Sequence, residues 1–273
     1  MEHKTVVTER GTVHYWVAGK TGSWVVMLHG ATMDHDLFLH QAGSFSTQHR
    51  VLVWDSPAHG LSRPYQDFSL PHAMHALVEI LNAEQVGVAH FVGQSMGCYI
   101  LQLLALEHPS RMLSLTSVGG SPLAGEYYSA MDRWLLKITP ALLQWYPYSY
   151  LIRTIAKNIS ATIGGQEYAL KALATHSKQA IADIMGAVYH GLQVFPRVFK
   201  STVPLLITFG EHDRSGKVQT YSIEWAKKES LTPVVIPGAA HNANMDNPGF
   251  FNQVLNRFIQ TIDFPLEGVT HNA

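Results

Sequence analysis

The chain has 273 residues, enough to bury a large core, and 47% hydrophobic against 14% charged residues excludes a disordered polymer. A formal net charge of -1 gives no electrostatic case for nucleic acid or an anionic membrane surface as partner. The single cysteine, Cys98, cannot close an intrachain disulfide, so the fold does not depend on an oxidising compartment.

Taken in chain order, residues 1–5 lack the apolar stretch of a signal peptide. Residues 5–9 and 12–18 flank Arg10-Gly11 and read as a hairpin. Apolar runs near 24–28, 50–54, 88–93, 112–118, 203–209 and 232–236 read as strands. Helical spacing lies between them at 36–47, 71–83, 96–107 and 217–229, with a last helix near 249–262. The alternation predicts an α/β fold: a mainly parallel twisted sheet with helices on both faces and its ligand at the carboxyl ends of the strands.

The segment from 118 to 203 is too long for a single crossover helix. The expected organisation is therefore a core of residues 1–121 and 201–273, with 122–200 inserted as a helical cap. That insertion carries Tyr127, Tyr128, Trp134, Trp145, Tyr146, Tyr148, Tyr150 and Phe195. Trp134 and Trp145 are the first candidates for substrate-binding residues in an apolar pocket. The most apolar tract, 134–152, is broken by Lys137, Pro140, Gln144 and Pro147, so no membrane span is expected and the localisation expected is cytoplasmic.

The most informative stretch is Gly93-Gln94-Ser95-Met96-Gly97, which sets a serine between glycines where a buried strand meets a helix. Such a junction is a nucleophile elbow, tight enough to strain the serine and to stand its hydroxyl beside a helix N-terminus. A serine hydroxyl needs a base, and the base needs an orienting carboxylate. Asp213 follows the strand-like run 203–209 and His241 follows the next one, so all three reach loops at one edge of a parallel sheet. Glu211 sits nearer the strand end as a loop anchor, and Asp246 follows His241 too closely to be the acid. His29-Gly30-Ala31 closes the strand at 24–28; the N–H groups of Ala31 and Met96 are the expected oxyanion donors. His72 with His75, and His35 with His40, lack the carboxylate or thiolate partners of a zinc site, so they read as surface or packing residues and neither metal nor cofactor is expected. Cys98 reads as a small buried hydrophobe.

These motifs together resemble the α/β-hydrolase fold family. The resemblance spans nearly the whole chain and rests on His29-Gly30, on residues 55–62, on the Ser95 elbow, on residues 210–213, and on Gly238-Ala239-Ala240-His241 before Asn247-Pro248. It implies Ser95 as nucleophile, Asp213 as acid and His241 as base, acting on a small-molecule ester. C–C bond hydrolases of ring-cleavage products, lactonases and perhydrolases need the same three groups, and a non-catalytic sensor shares the fold. Two positions depart from the family pattern, Ala58 and Ala240 standing where glycine is usual; both are tolerable if neither needs a positive φ.

Overall fold

Alternation along the central strands builds two apolar layers from one sheet. A computed structural model of the chain describes residues 1–194 and 200–264; Phe195 lies outside them. The elements run β1 (Glu2–Thr8), β2 (Gly11–Ala18), β3 (Trp24–Leu28), α1 (Leu39–Phe45), β4 (Arg50–Trp54), α2 (Leu70–Ala83), β5 (Ala89–Gln94), α3 (Met96–Glu107) and β6 (Met112–Val118). Four helices follow: α4 (Ala130–Leu143), α5 (Tyr148–Ile159), α6 (Ile163–Ala174) and α7 (Lys178–Val194). The chain then forms β7 (Leu205–Gly210), α8 (Val218–Lys228), β8 (Val234–Ile236), α9 (Ala243–Asp246) and α10 (Pro248–Asp263).

The strands form one sheet in the order β1-β2-β4-β3-β5-β6-β7-β8. β1, β2 and β4 pair antiparallel, and β4 through β8 pair parallel, as expected. Side chains alternate across a strand. Val26 and Leu28 therefore join Leu77 of α2, Ile100 of α3 and Trp225 of α8 on one face. Val25 and Met27 join Phe45 of α1 and Phe251, Leu255 and Ile259 of α10 on the other. Every residue of β3 is buried, which explains why it reads as an unbroken apolar run. Each fully buried aliphatic side chain contributes about 1.5–3 kcal/mol.

Local signals set the helix ends. Ser69 caps α2 through the His72 N–H, with Pro71 in the first turn. Ser129 and Asp132 form a reciprocal capping box at α4, and Asn247 caps α10 just before Pro248. The helix expected over 36–47 is instead a 3-10 turn, His35–Phe38, running into α1, because the Asp34 carboxylate accepts the Asp36 N–H. Within the insertion α4 packs on α7 and α5 on α6. Ile152, Ala169, Leu173 and Ile181 from α5, α6 and α7 belong to the same apolar cluster as Val25 and Met27 of the sheet. Among the described residues no helix is long and apolar enough to cross a membrane.

One feature of the strand order positions the site. The chain leaves β3 to form β4 on one side, then returns to form β5 on the other. Loops from adjacent strands thus diverge above β3 and β5 and leave a crevice at their carboxyl ends.

Candidate active site

Ser95 stands in that crevice, between β5 and α3, at φ 48° and ψ -112°. A non-glycine residue held there stores about 1–3 kcal/mol of strain, which the surrounding packing must hold. Gly97 makes the turn possible: a Cβ on it would lie 2.2 Å from the Leu28 carbonyl oxygen, so only glycine lets α3 cross β3 this closely. The Ser95 N–H is tied to the Val118 carbonyl at 2.9 Å. As first residue of α3, Met96 has an N–H with no partner within its helix.

The loop after β3 faces the elbow. A Cβ on Gly30 would lie 2.0 Å from Gln94 Oε1 and 3.2 Å from Ser95 Cβ, so this backbone touches the Ser95 turn itself. The Gly30 carbonyl accepts from His29 Nδ1 at 2.7 Å and from the Met33 N–H at 3.2 Å. His29 Nε2 in turn accepts the Ser56 N–H at 2.9 Å, which leaves Nδ1 as the protonated ring nitrogen and a donor. Carbonyl and N–H of one trans peptide point opposite ways. Holding the Gly30 oxygen toward His29 therefore turns the Ala31 N–H away from it, and Ala31 lines the cavity.

Asp213 and His241 meet above β7 and β8. His241 Nδ1 lies 2.8 Å from Asp213 Oδ2, with the carboxylate side chain fully buried and the imidazole nearly so. Burial alone would raise the Asp213 pKa; the His241 charge, the His241 hydrogen bond and donors of Ser215 outweigh it and hold the carboxyl below its usual range. Gln94 Nε2 donates to the His241 carbonyl at 3.1 Å, linking the elbow to the histidine loop. Glu211, the rival acid, is exposed and accepts the Gly238 N–H at 2.8 Å. Asp246 accepts the Ala240 N–H at 2.9 Å, the Ala161 N–H at 2.8 Å, and both the N–H and hydroxyl of Thr162. It thus ties the histidine loop to the turn between α5 and α6. No sequence motif announced that role.

Ser95 and His241 open into one cavity of about 350 Å³, within the range of small-molecule sites. Its walls include Leu136 and Leu143 of α4, Ile155 of α5, and Met185, Val188 and Leu192 of α7. Trp134 and Trp145 do not line it. They are 55% and 85% exposed. Nine residues separate Trp134 from Leu143, which at 3.6 residues per turn places them on opposite sides of α4, and Trp145 lies past the helix end. Cys98, buried against Ser117 and Gln102, has its thiol pushed up to about 11 by burial, which disfavours the thiolate.

Ala58 departs from expectation too. It stands at φ 66°, in the region where glycine is at ease, whereas Ala240 does not. Its turn is closed by hydrogen bonds from Ala58 to Ser62 and from His59 to Ser56.

Site and fold together define a member of a known class. The sequence profile of the alpha/beta hydrolase family matches residues 25–254, and the chain belongs to that family. Among its relatives is a pimeloyl-[acyl-carrier protein] methyl ester esterase of Yersinia enterocolitica, 24% identical over 90% of this chain and 97% of that one. Another is 3-oxoadipate enol-lactonase 1 of Acinetobacter baylyi, 22% identical over 87% and 89%. A thermophilic esterase from Thermogutta terrifontis superposes with a TM-score of 0.79 at 17% identity, covering 96% of this chain and all of that one.

Proposed function

We propose that this protein is a serine hydrolase that cleaves a carboxylic ester of a small, largely apolar substrate through an acyl-enzyme. The observation that carries the reading is the strained Ser95 elbow opening into the same apolar cavity as His241, whose Nδ1 is held by Asp213. The esterase and lactonase relatives, which both act on ester bonds by their names, support it.

In this reading His241 Nε2 takes the Ser95 proton as Oγ attacks the ester carbonyl. The carbonyl π pair moves onto oxygen, where the Ala31 and Met96 N–H groups receive it; losing one such donor typically costs ~3 kcal/mol. Asp213 keeps the imidazole in the tautomer that accepts at Nε2 and stabilises the imidazolium. The tetrahedral adduct collapses with loss of the alcohol, which takes its proton from His241. Water, deprotonated by His241, then attacks the acyl-enzyme and frees the acid and Ser95. Residues 122–200 act as the cap that sets substrate choice.

Turnover of methyl butyrate by purified protein tests the reading. Wild type hydrolyses it, and Ser95→Ala loses on the order of 10⁶ in rate. Asp213→Asn loses on the order of 10⁴ by favouring the wrong tautomer, while Glu211→Gln lowers stability and spares turnover. More than a few per cent of wild-type rate in Ser95→Ala overturns the nucleophile assignment; Glu211→Gln as the more damaging change moves the acid to 211. A protein that binds esters and turns none over would be a sensor.

A further inference from the structure

The cavity floor holds a row of three hydroxyls with no part in the chemistry above. Tyr99 lies one helical turn beyond Ser95 on α3, Ser121 follows β6, and Tyr128 precedes α4; all three line the cavity and are nearly fully buried. Tyr99 and Ser121 oxygens are 2.9 Å apart, and Ser121 and Tyr128 oxygens 2.8 Å. The Tyr128 hydroxyl donates to the Pro122 carbonyl at 2.9 Å.

That last bond sets the direction of every proton in the row. A carbonyl only accepts, so the single Tyr128 proton is committed to Pro122. Ser121 must then donate to Tyr128, and Tyr99 must donate to Ser121. Burial pushes both phenols well above their ordinary range, so neither is lost as phenolate. What remains toward the cavity is lone pairs. Ser95 apart, the other lining hydroxyls are arranged alike, Ser215 hydrogen-bonding the Asp213 carboxylate. Thr139 donates to Leu135 at 2.7 Å and Thr32 to Ala31 at 2.6 Å, both backbone carbonyls, while Tyr221 hydrogen-bonds the Asp132 carboxylate. Tyr189 of α7 is the exception: it lines the cavity, and among the described residues its hydroxyl makes no hydrogen bond.

We infer that the substrate carries an N–H donor close to its ester, received by the Tyr99–Ser121–Tyr128 row, next to an acceptor served by Tyr189. A secondary amide presents both. An ester of equal shape without the donor leaves the row's oxygens desolvated and unpaired, which is how such a site rejects an analogue. The inference rests on the ester-hydrolase reading and narrows its substrate class.

Two matched pairs test it. N-acetylglycine methyl ester and methyl 4-oxopentanoate differ by N–H against CH₂ on the acyl side; 2-acetamidoethyl butyrate and 4-oxopentyl butyrate differ in the same way on the alcohol side. Wild type favours the amide member of at least one pair by about tenfold in kcat/KM, the scale of one hydrogen bond to a buried partner. Tyr128→Phe removes the acceptor that sets the proton order. The Ser121 proton is then released, either into the cavity or onto Tyr99 with the Tyr99 proton turning into the cavity, so a donor faces the substrate and the preference collapses or inverts. Tyr99→Phe lowers the preference without inverting it. Equal kcat/KM within both pairs, or an unchanged preference in folded Tyr128→Phe, overturns the inference while methyl butyrate turnover leaves the hydrolase reading standing. Calorimetric binding of both pairs to Ser95→Ala reads the same ratio without turnover. Absence of ester turnover together with an amide preference in binding would remove the hydrolase reading and keep the donor-receiving row.

Discussion

Ala58 shows what a single residue can cost. An L side chain in the left-handed region crowds its own carbonyl by about 1–2 kcal/mol, a penalty glycine does not carry. Nothing in the bonding of the 55–62 turn requires the methyl group, since the turn is closed by backbone and by the Asp55 carboxylate, which accepts the Leu61 N–H. Ala58→Gly should therefore stabilise the protein by about 1 kcal/mol after glycine's extra chain entropy is counted. For a chain of this size that raises Tm by about 2 °C. A fall in Tm, measured by calorimetry, would mean that the turn gains from alanine in some other way.

Among the elements, α4 is the informative case. Only Asp132 is buried along it, yet Leu136, Thr139 and Leu143 line the cavity. A helix with so few buried contacts is held mainly by its caps and its packing on α7. Trp134, the one tryptophan of α4, lies off that stripe, and Trp145 follows the helix. The α4 side chains that line the cavity are mostly plain aliphatics, and under the proposed reading they would set chain length through volume. Met185→Ala on α7 should shift the preferred acyl chain longer by one or two carbons across acetate to octanoate esters. The size follows from about 1–3 kcal/mol per methylene in an apolar pocket. Trp145→Ala should keep the wild-type profile. A shifted profile in Trp145→Ala, or none in Met185→Ala, would place the specificity wall elsewhere.

For the molecule as a whole, acid should be the weak point. His29, His59 and His176 meet at steep ring angles in one buried cluster between the loops after β3 and β4 and the turn between α6 and α7, with ring centroids 5.2 and 5.6 Å apart. His59 Nε2 and His176 Nδ1 have no hydrogen-bond partner among the described residues. Burial, then the charges of Arg63 and His29, push His176 down to about 4; burial and the neighbouring histidines push His59 well down too. The unfolded chain, with histidines near 6.5, binds more protons than the native state between that value and about 4, so stability rises with pH through this window. It is fully present above about 6.5 and lost on acidification, His176 alone accounting for about 3 kcal/mol. Tm measured from pH 7.5 to 4.5 should fall less steeply in His176→Phe than in wild type. Parallel curves would acquit the cluster.

How much of this was legible depends on how local each cause is. β3, β5 and β6 are buried on both faces, so they stand out as apolar runs between polar turns. The Ser95 elbow is legible for the same reason that it can form, because small residues must flank so tight a turn. The face of α4 turned inward is set by packing on α7, and large aromatic residues misled its reading. Ala58 looked harmless because φ is not written in a residue's name. The row of Tyr99, Ser121 and Tyr128 brings together residues 22 and 7 apart in the chain through two hydrogen bonds, which no periodicity records.

The four bonds of Asp246 carry a consequence for motion. A segment inserted between two strands is ordinarily hinged at its two ends and free to swing between them. Here the midpoint of the insertion is stapled, at Ala161 and Thr162, to the carboxylate that also holds the backbone just before His241. The half of the insertion built from α5 and α6 is therefore expected to unfold as one cooperative unit with the histidine loop. Under the proposed function, substrate admission is expected on the α4 side, where little is buried, and heat or denaturant that frees α5 and α6 should disturb the His241 loop in the same event.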